Sequence, residues 1–458
     1  MIGLSSGYVI SLIFSGTIIT QTGSLSLDDA IAIADKQAFS VLAQKSAVRK
    51  AKARVNEAAG NLFPKVTVAG NYSRYDKEQQ GGSGSGSGGG FSGGSKYIDS
   101  KNVSVSLNQS IDISGNVGRA VRAVKDQQRA AEATLQASFN DARLSVRTSY
   151  FSVLRAQAQV KVAEQTLADN QERFNQAEKN FRADQIAKVD VMRFQSQVDQ
   201  SKSDLITAQN SLQLAKNSFN NTLARPIDEP VTLIEPEALP LVRPELATLV
   251  DSAYARRPEI KALVNNLDAL TQIRKGQETA LNPSLNVALT HSRAIDLPKG
   301  SFQQDQSTVG VLSVSWPIWD SGINKAKVAE AREDEAQAQI LLDQTKLAVS
   351  QEVRSARKNL ESADARLKNA EEQIKLAEEV YRLSKVKNDV GVGTYVEVID
   401  AETQVTQARN GLVNARYDYL TSYSQLQRAI GTDDIDKVTA NTGRTDNLMA
   451  TRMVGEKK

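Results

Sequence analysis

The chain has 458 residues, of which 5% are aromatic and 24% are charged, and this composition suits long helices more than several compact cores. Its 56 basic and 53 acidic residues leave a net charge of +3, which gives no basic excess for binding nucleic acid. Cysteine is absent and histidine occurs once, as His291, so disulfides and Cys/His metal sites are excluded. No cofactor is predicted.

The N-terminal segment contains an apolar run from Tyr8 to Ile19, which has the length of the hydrophobic part of a signal peptide. We therefore predict an export signal over residues 1–24, with a frayed N-terminal helix as the alternative. No later stretch approaches the 18 apolar residues of a membrane-spanning helix. A chain of this kind that crosses a membrane would have to do so with β-strands.

The sequence is a tandem duplication. Pro64 aligns with Pro283 at an offset of 219, and Gly115 aligns with Gly322 at an offset of 207. A Gly/Ser-rich insertion around residues 81–95 of the first copy accounts for the difference. The predicted plan is a first repeat over 25–225, a proline-rich linker over 226–245, a second repeat over 246–431 and a polar tail over 432–458.

Each repeat is predicted to contain a helix, a β-hairpin, a very long helix and a returning helix. The first helices cover 27–60 and 246–280, and the hairpins lie within 62–113 and 281–319. Period-2 alternation predicts membrane strands at 66–73, 103–113, 285–292 and 309–316, with exterior loops at 76–100 and 293–307. Each hairpin has one apolar and one polar face.

The long helices carry a seven-residue repeat, which predicts left-handed coiled-coil packing with close contacts at alanine. In the second copy the seam consists of Val353, Leu360, Leu367, Ile374 and Tyr381 with Ala356, Ala363, Ala370 and Ala377. The first copy repeats it from Val146, and the returning helix matches it from Val398. A helix from Gly115 to about Asp184 would be about 105 Å long, at about 1.5 Å per residue, which could cross a periplasm.

The duplicated order of elements resembles the TolC family of outer-membrane channels over about residues 25–432. The motifs that carry the resemblance are Leu62-Phe-Pro-Lys-Val66, Leu281-Asn-Pro-Ser-Leu285, Trp316-Pro-Ile-Trp-Asp-Ser-Gly322 and Gly391-Val-Gly-Thr-Tyr-Val-Glu-Val-Ile-Asp-Ala401. The resemblance implies an α+β membrane protein in which three chains of four strands close one 12-stranded barrel, continuous with a long α-helical coiled-coil barrel. It also implies an outer-membrane homotrimer that docks to an inner-membrane pump through a periplasmic adaptor, for efflux or type I secretion.

The same resemblance implies a gate where the paired helices meet at their periplasmic tips. The matching carboxylates are Glu397 and Asp400, with Asp190 in the first copy, and the alternative is that these acids only stabilise a helix N-terminus. In the best-known member, a tyrosine and an arginine form a latch that ties the closed tips together. The matching positions in this chain are Asn388 and Gly393, so the chain departs from that latch.

Aromatic residues near the strand ends, Tyr72, Trp316 and Trp319, are interpreted as membrane-interface side chains in contact with outer-membrane lipid. His291 has no evident catalytic partner, and no enzyme activity is predicted. Two interpretations of the hairpins remain open: they lie in a membrane, or they cap a soluble coiled coil. The corresponding alternative function is a periplasmic coiled-coil structural or adaptor protein without a pore.

Overall fold

The computed structural model describes residues 24–76, 97–236, 245–295 and 306–432, together with Ile435. Several predictions lie outside the described residues. They are nearly all of the export signal, the Gly/Ser-rich insertion, most of both exterior loops, the centre of the linker and nearly all of the C-terminal tail.

The described elements follow the predicted order in both repeats. They are α1 (Leu27–Gln37), α2 (Phe39–Gly60), β1 (Lys65–Asp76), β2 (Tyr97–Ile111), α3 (Asn116–Arg182), α4 (Lys188–Thr222), α5 (Leu246–Arg256), α6 (Pro258–Glu278), β3 (Ser284–Ala294), β4 (Gln306–Ser315), α7 (Ile323–Asp389) and α8 (Tyr395–Ile430). The two long helices, α3 and α7, have 67 residues each, as the periodicity predicted.

The first helix of each repeat is broken, so the prediction of single helices over 27–60 and 246–280 was wrong. Arg257 leaves the helical region with ψ 124°, because a residue that precedes proline is disfavoured there and Pro258 follows it. Ala38, at the aligned position of the first repeat, has nearly the same backbone conformation, with ψ 128°, although no proline follows it. The break was readable from the sequence in one copy only.

Left-handed backbone conformations lie at aligned helix boundaries of the two repeats, before α3 and α7 and after α3, α4, α7 and α8. Three pairs at the 207-residue offset all have positive φ: Gly115 and Gly322, Asp184 and Gly391, and Ala224 and Gly431. A positive φ after a helix lets the last carbonyl groups find partners, and glycine adopts it at least cost. The duplication therefore extends to the backbone of the turns.

The four strands form one antiparallel sheet in the order β1-β2-β3-β4, which confirms both predicted hairpins and joins them through β2 and β3. Apolar residues pair across all three strand contacts, at Val68↔Val105, Leu107↔Leu289 and Val287↔Leu312. The strands extend further than predicted, since β2 begins at Tyr97. Two strands end earlier than predicted, because β2 stops at Ile111, before the predicted residue 113, and β4 stops at Ser315, before Trp316.

Two compact units divide the chain, and each draws on both repeats. The first contains residues up to Ala38 with Ser145–Pro240 and Ala365–Thr421, and its regular elements over the described residues are helices, apart from a short bridge between Leu25 and Leu233. The second contains Phe39–Leu144, Leu241–Asp364 and the chain from Ser422 onward, and it holds the sheet.

The heptad seam is buried along much of its length, as predicted for a coiled coil. Buried seam residues include Val146, Val153, Val160, Val353, Leu360, Leu367, Val398 and Val405, with Ala156, Ala177, Ala356, Ala363, Ala370, Ala401 and Ala415. Ile374 and Tyr381 are half-buried. Within the described ranges, no helix combines the length and the apolar character that a bilayer crossing requires.

Candidate functional site

The turn between α7 and α8 depends on two glycines. Gly391 has φ +77°, and the N–H groups of Val392 and Gly393 both donate to the carbonyl of Lys387, at 3.0 and 2.9 Å. A Cβ atom at Gly393 would lie 3.0 Å from Lys387 Cβ and 3.1 Å from the backbone nitrogen of Asn388. The chain thus folds back on itself too closely for any other residue at position 393 without a shift.

Asn388 and Gly393, the two positions that differ from the tyrosine and arginine of the best-known member, contact each other. Asn388 Nδ2 donates to the carbonyl oxygen of Gly393 at 3.2 Å. Both residues therefore act within the turn, where they hold its two arms together.

Glu397 lies in the first turn of α8 and is exposed. Its backbone N–H donates to Thr394 Oγ1 at 3.3 Å, and its carboxylate pairs with Lys387 Nζ at 3.2 Å. A carboxylate in the first helical turn is favoured by the helix dipole. This placement fits the helix-stabilising alternative, and the exposure fits a pore-facing acid as well.

The other two predicted acids have different surroundings. Asp400 is exposed and, among the described residues, has no ion-pair partner. Asp190 is half-buried in the first turn of α4 and pairs with Arg193 Nη1 at 3.4 Å, which offsets its charge. The N-terminal ends of α4 and α8 contact each other through the rings of Phe194 and Tyr395, whose centroids are 5.7 Å apart, so Asp190 and Glu397 lie in neighbouring first turns.

A buried ion pair in the first unit was not predicted. Arg173 Nη1 on α3 lies 2.6 Å from Glu402 Oε2 on α8, and their side chains are only 14% and 12% exposed. The Arg173 guanidinium also lies 4.7 Å from the ring centroid of Tyr381 on α7, in cation–π geometry. The amide of Asn170 lies 2.7 Å from Ser201 Oγ and 3.1 Å from Glu402 Oε2. We call Asn170, Arg173, Ser201, Tyr381 and Glu402 the buried polar cluster.

Burial raises the pKa of the Glu402 carboxyl above its usual value, because a carboxylate loses hydration there. The charge of Arg173 opposes the shift, whereas the charge of Asp169 adds to it. The cluster joins four helices, α3, α4, α7 and α8, around a charged pair with little access to solvent. The sequence signal was weak, since Arg173 and Glu402 are merely the neighbours of seam residues and lie 229 positions apart.

A second ion-pair network lies in the second unit, around Arg257 at the break between α5 and α6. Arg257 is 3% exposed and binds Glu259, at 2.9 Å, and Glu352. Arg428 binds the same two carboxylates and also Asp141, at 2.9 Å. Although burial opposes it, the hydrogen bond from Arg257 lowers the pKa of Glu259.

Four residues of this network belong to the second repeat, and Asp141 belongs to the first. The aligned positions of the first repeat carry no charge: Ala38, Ser40, Ser145 and Asn221 stand for Arg257, Glu259, Glu352 and Arg428. The two halves share a backbone plan but have diverged in the groups that hold it.

The predicted interface aromatics are all surface residues of the single chain. Tyr72, Trp316 and Trp319 are 59%, 62% and 85% exposed. Apolar neighbours near the helix-proximal strand ends are exposed as well, notably Phe63 and Ile318. A wide exposed apolar surface needs a partner, either another protein chain or lipid.

Comparison with known proteins decides the family. The model of the family described as "Outer membrane efflux protein" matches residues 30–225 and 249–432, more than four fifths of the chain and close to the two predicted repeats. This chain belongs to the outer membrane efflux protein family. The resemblance seen in the sequence is thereby confirmed, and with it the outer-membrane location and a channel role.

Individual efflux-family relatives are distant but cover most of the chain. Outer membrane protein TolC of Escherichia coli K12 is 26% identical over 398 residues, 83% of this chain and 76% of that protein. Outer membrane efflux protein BepC of Brucella suis is 23% identical over 93% of this chain and 90% of its own length.

Solved structures agree on the fold. Crystal structures of CusC match with a TM-score of 0.77 at 18% identity, covering 89% of this chain and 92% of that one. The outer membrane protein VceC of Vibrio cholerae matches with a TM-score of 0.75 at 17% identity, covering 89% and 96%. The predicted fold of the chain, with long helices and four strands, is confirmed.

Proposed function

We propose that three copies of this chain form the outer-membrane duct of a three-part export system, through which cargo passes passively from the periplasm to the exterior. The observation that carries the proposal is the open sheet, in which β1 and β4 each have one unpaired edge. In a bilayer, unpaired N–H and C=O groups are too costly to persist. Pairing β4 of one chain with β1 of the next would close three sheets into one barrel of twelve strands.

The exposure of the outer strands supports this closure. Every residue of β4 is exposed on both faces, whereas β3 alternates between exposed and half-buried residues. In water, a sheet with an exposed apolar face and two unpaired edges would be prone to aggregate. Lipid on one face and neighbouring chains at both edges would cover these groups. The alternative of a periplasmic coiled-coil protein without a pore leaves them uncovered.

The partners and the cargo class follow by analogy with relatives. Matches include the alkaline protease secretion protein AprF of Pseudomonas aeruginosa and the cation efflux system protein CusC of Escherichia coli. We propose that this chain likewise serves an inner-membrane pump through a periplasmic adaptor, in efflux or in secretion. Outer-membrane lipid would surround the strands.

The gate is proposed to lie at the tips of the helix pairs. Glu397 and Asp400 are exposed, three residues apart on one helix face, and would occur three times around the axis of a trimer. Carboxylate rings attract cations and narrow a pore. Asp190 would contribute less, because Arg193 offsets its charge.

Single-channel recording in planar bilayers at low salt tests this function. The purified protein should be a heat-modifiable outer-membrane trimer with small, cation-selective conductance. Glu397→Ala with Asp400→Ala should weaken selectivity and raise conductance, because charge and bulk are both lost, while Asp190→Ala should change each less. A soluble periplasmic monomer would refute the duct. A conducting trimer that the double variant leaves unchanged would refute only the gate.

A further inference from the structure

Two basic side chains lie on the apolar face of the sheet, on its central strands. Arg293 on β3 shares a face with Leu289, and Lys101 on β2 shares a face with Val105, because residues an even number apart point the same way along a strand. Both basic residues are exposed. They lie toward the strand ends that are remote from the helices that precede β1 and β3.

The sheet register brings these two residues together. Arg293 pairs with Val103, and the backbone N–H of Ile295 donates to the carbonyl of Lys101 at 2.9 Å. Lys101 and Arg293 are therefore diagonal neighbours on one face, a relation that places residues about 7–8 Å apart. Two cations at this spacing can reach the same phosphate group.

The neighbouring strand extends the basic band. Tyr72 on β1 pairs with Lys101, and Arg74 follows two residues later on the same face. Asp99 lies opposite Arg74 in the register, and basic residues outnumber this acid among Arg74, Asp99, Lys101 and Arg293. We call Lys101 and Arg293 the basic pair.

The opposite face of the sheet is uncharged at this level. The residues there are Ser73, Asn102, Ser292 and Ala294. At this level, positive charge therefore lies on the face that carries Val105, Leu107 and Leu289. This segregation favours a ligand that combines an anion with an apolar body.

The depth of the basic pair fits the edge of a membrane. Lys101 precedes Ile111 by ten residues of β2, about 34 Å of strand, which a tilt of about 40° reduces to about 26 Å of depth. The apolar band of a membrane barrel is about 25 Å tall. Trp316 and Trp319 follow β4 at the Ile111 end of the sheet. The basic pair therefore lies one band height away from these aromatics.

We propose that Lys101 and Arg293 bind the phosphate of a lipid head group in the outer leaflet, an inference that rests on the proposed membrane barrel. An ammonium and a guanidinium form charge-assisted hydrogen bonds with phosphate oxygens, and arginine can do so with two donors. The valines and leucines below would contact the acyl chains. Since β2 and β3 are the central strands, closure of the sheet edges between chains leaves this face open.

The test measures lipid binding by native mass spectrometry of the purified full-length trimer in a nonionic detergent. Lipid A, dephosphorylated lipid A and phosphatidylethanolamine are each titrated against the parent and against Lys101→Gln with Arg293→Gln. The parent should bind lipid A, and the double variant should bind it at least tenfold more weakly, because two charge-assisted contacts are lost. The matched control is Lys65→Gln on the opposite face and at the other end of β1, which should bind as the parent does.

Each other outcome overturns the proposal. Equal binding by parent and double variant would show that the basic pair is not the site, and equal binding of dephosphorylated lipid A would show that phosphate is not recognised. Displacement by inorganic phosphate at the same concentration would indicate a free-anion site. Trimer assembly and conductance of the same samples separate the two proposals. A conducting trimer with one of these results refutes the lipid site alone, and a chain that forms no outer-membrane trimer refutes both.

Discussion

Removal of one member of the buried ion pair should cost more stability than removal of both. Arg173→Met leaves the Glu402 carboxylate inside the first unit without its ion-pair partner, although Asn170 and the charge of Arg409 remain nearby. Glu402→Gln leaves the Arg173 guanidinium over Tyr381 without its carboxylate. Breaking a buried pair from one side typically costs about 3–5 kcal/mol, whereas replacing both partners by apolar residues is often neutral.

The expected loss of stability depends on how much of the ion pair remains exposed to solvent. Both side chains keep a little over a tenth of their surface in solvent, which allows some hydration of the remaining charge. We therefore expect each single variant to lose about 2–4 kcal/mol of unfolding free energy, in the lower part of the range for buried pairs. The double variant Arg173→Met with Glu402→Leu should lie within about 1 kcal/mol of the parent.

The pH dependence of these variants has a definite sign. Burial already raises the pKa of Glu402, and loss of the Arg173 charge raises it further. A group whose pKa is raised in the folded state stabilises the fold below its unfolded pKa, and this stability is lost as the pH rises through the folded pKa. The penalty for Arg173→Met should therefore be smaller at pH 5 than at pH 8. Glu402→Gln has no such carboxyl and should lose this dependence.

Thermal unfolding of the detergent-solubilised trimer, followed by circular dichroism at 222 nm at pH 5 and pH 8, measures these differences. If the cluster also restrains the tips, Arg173→Met should raise the conductance of the closed channel. The reasoning is refuted if the double variant is as unstable as either single variant, because the cost would then come from packing and not from an unpaired charge. A pH-independent penalty for Arg173→Met would contradict the assignment of the charge to Glu402.

Three further substitutions test the sheet, the seam and the second network. Val68→Lys on the apolar face should cost about 2–4 kcal/mol near the bilayer midplane, and Thr67→Lys much less, measured as yield of assembled trimer. Ala363→Leu should overpack a fully buried seam position and cost about 1–3 kcal/mol in thermal unfolding, while the same change at exposed Ala365 should be tolerated. Arg257→Ala should cost about 2–3 kcal/mol, since it removes a nearly inaccessible side chain that binds two carboxylates. Its penalty should shrink as the pH falls below about 4, where the lowered pKa of Glu259 ceases to stabilise the fold.

Each of these predictions has a contradicting result. Equal losses of trimer from Val68→Lys and Thr67→Lys would remove the distinction between a lipid face and a lumen face. An Ala363→Leu protein that melts with the parent would show that the seam is loosely packed. An Arg257→Ala penalty that grows in acid would mean that the network does not hold Glu259 ionised.

The sequence alone determined the repeated plan of this protein. Strand alternation and the heptad seam are local periodicities, so both hairpins, both long helices and the buried alanines could be read without any knowledge of distant contacts. The glycines of the turn motif and the aromatic residues near the strand ends could also be identified from short stretches of the sequence. The acids Glu397, Asp400 and Asp190 could be named as candidates, although their pore-facing role remains a prediction.

Tertiary structure decided which groups meet. Arg173 and Glu402 lie 229 residues apart and share no local pattern, so their ion pair became visible only when α3 and α8 were placed side by side. The ion-pair network around Arg257 also became visible only in the structure, and the first repeat lacks it despite its matching backbone. The strand register that sets Lys101 beside Arg293 likewise depends on the folded sheet. Periodicity is a property of one segment, whereas charge pairing depends on which segments the fold brings into contact, and only the folded chain specifies that.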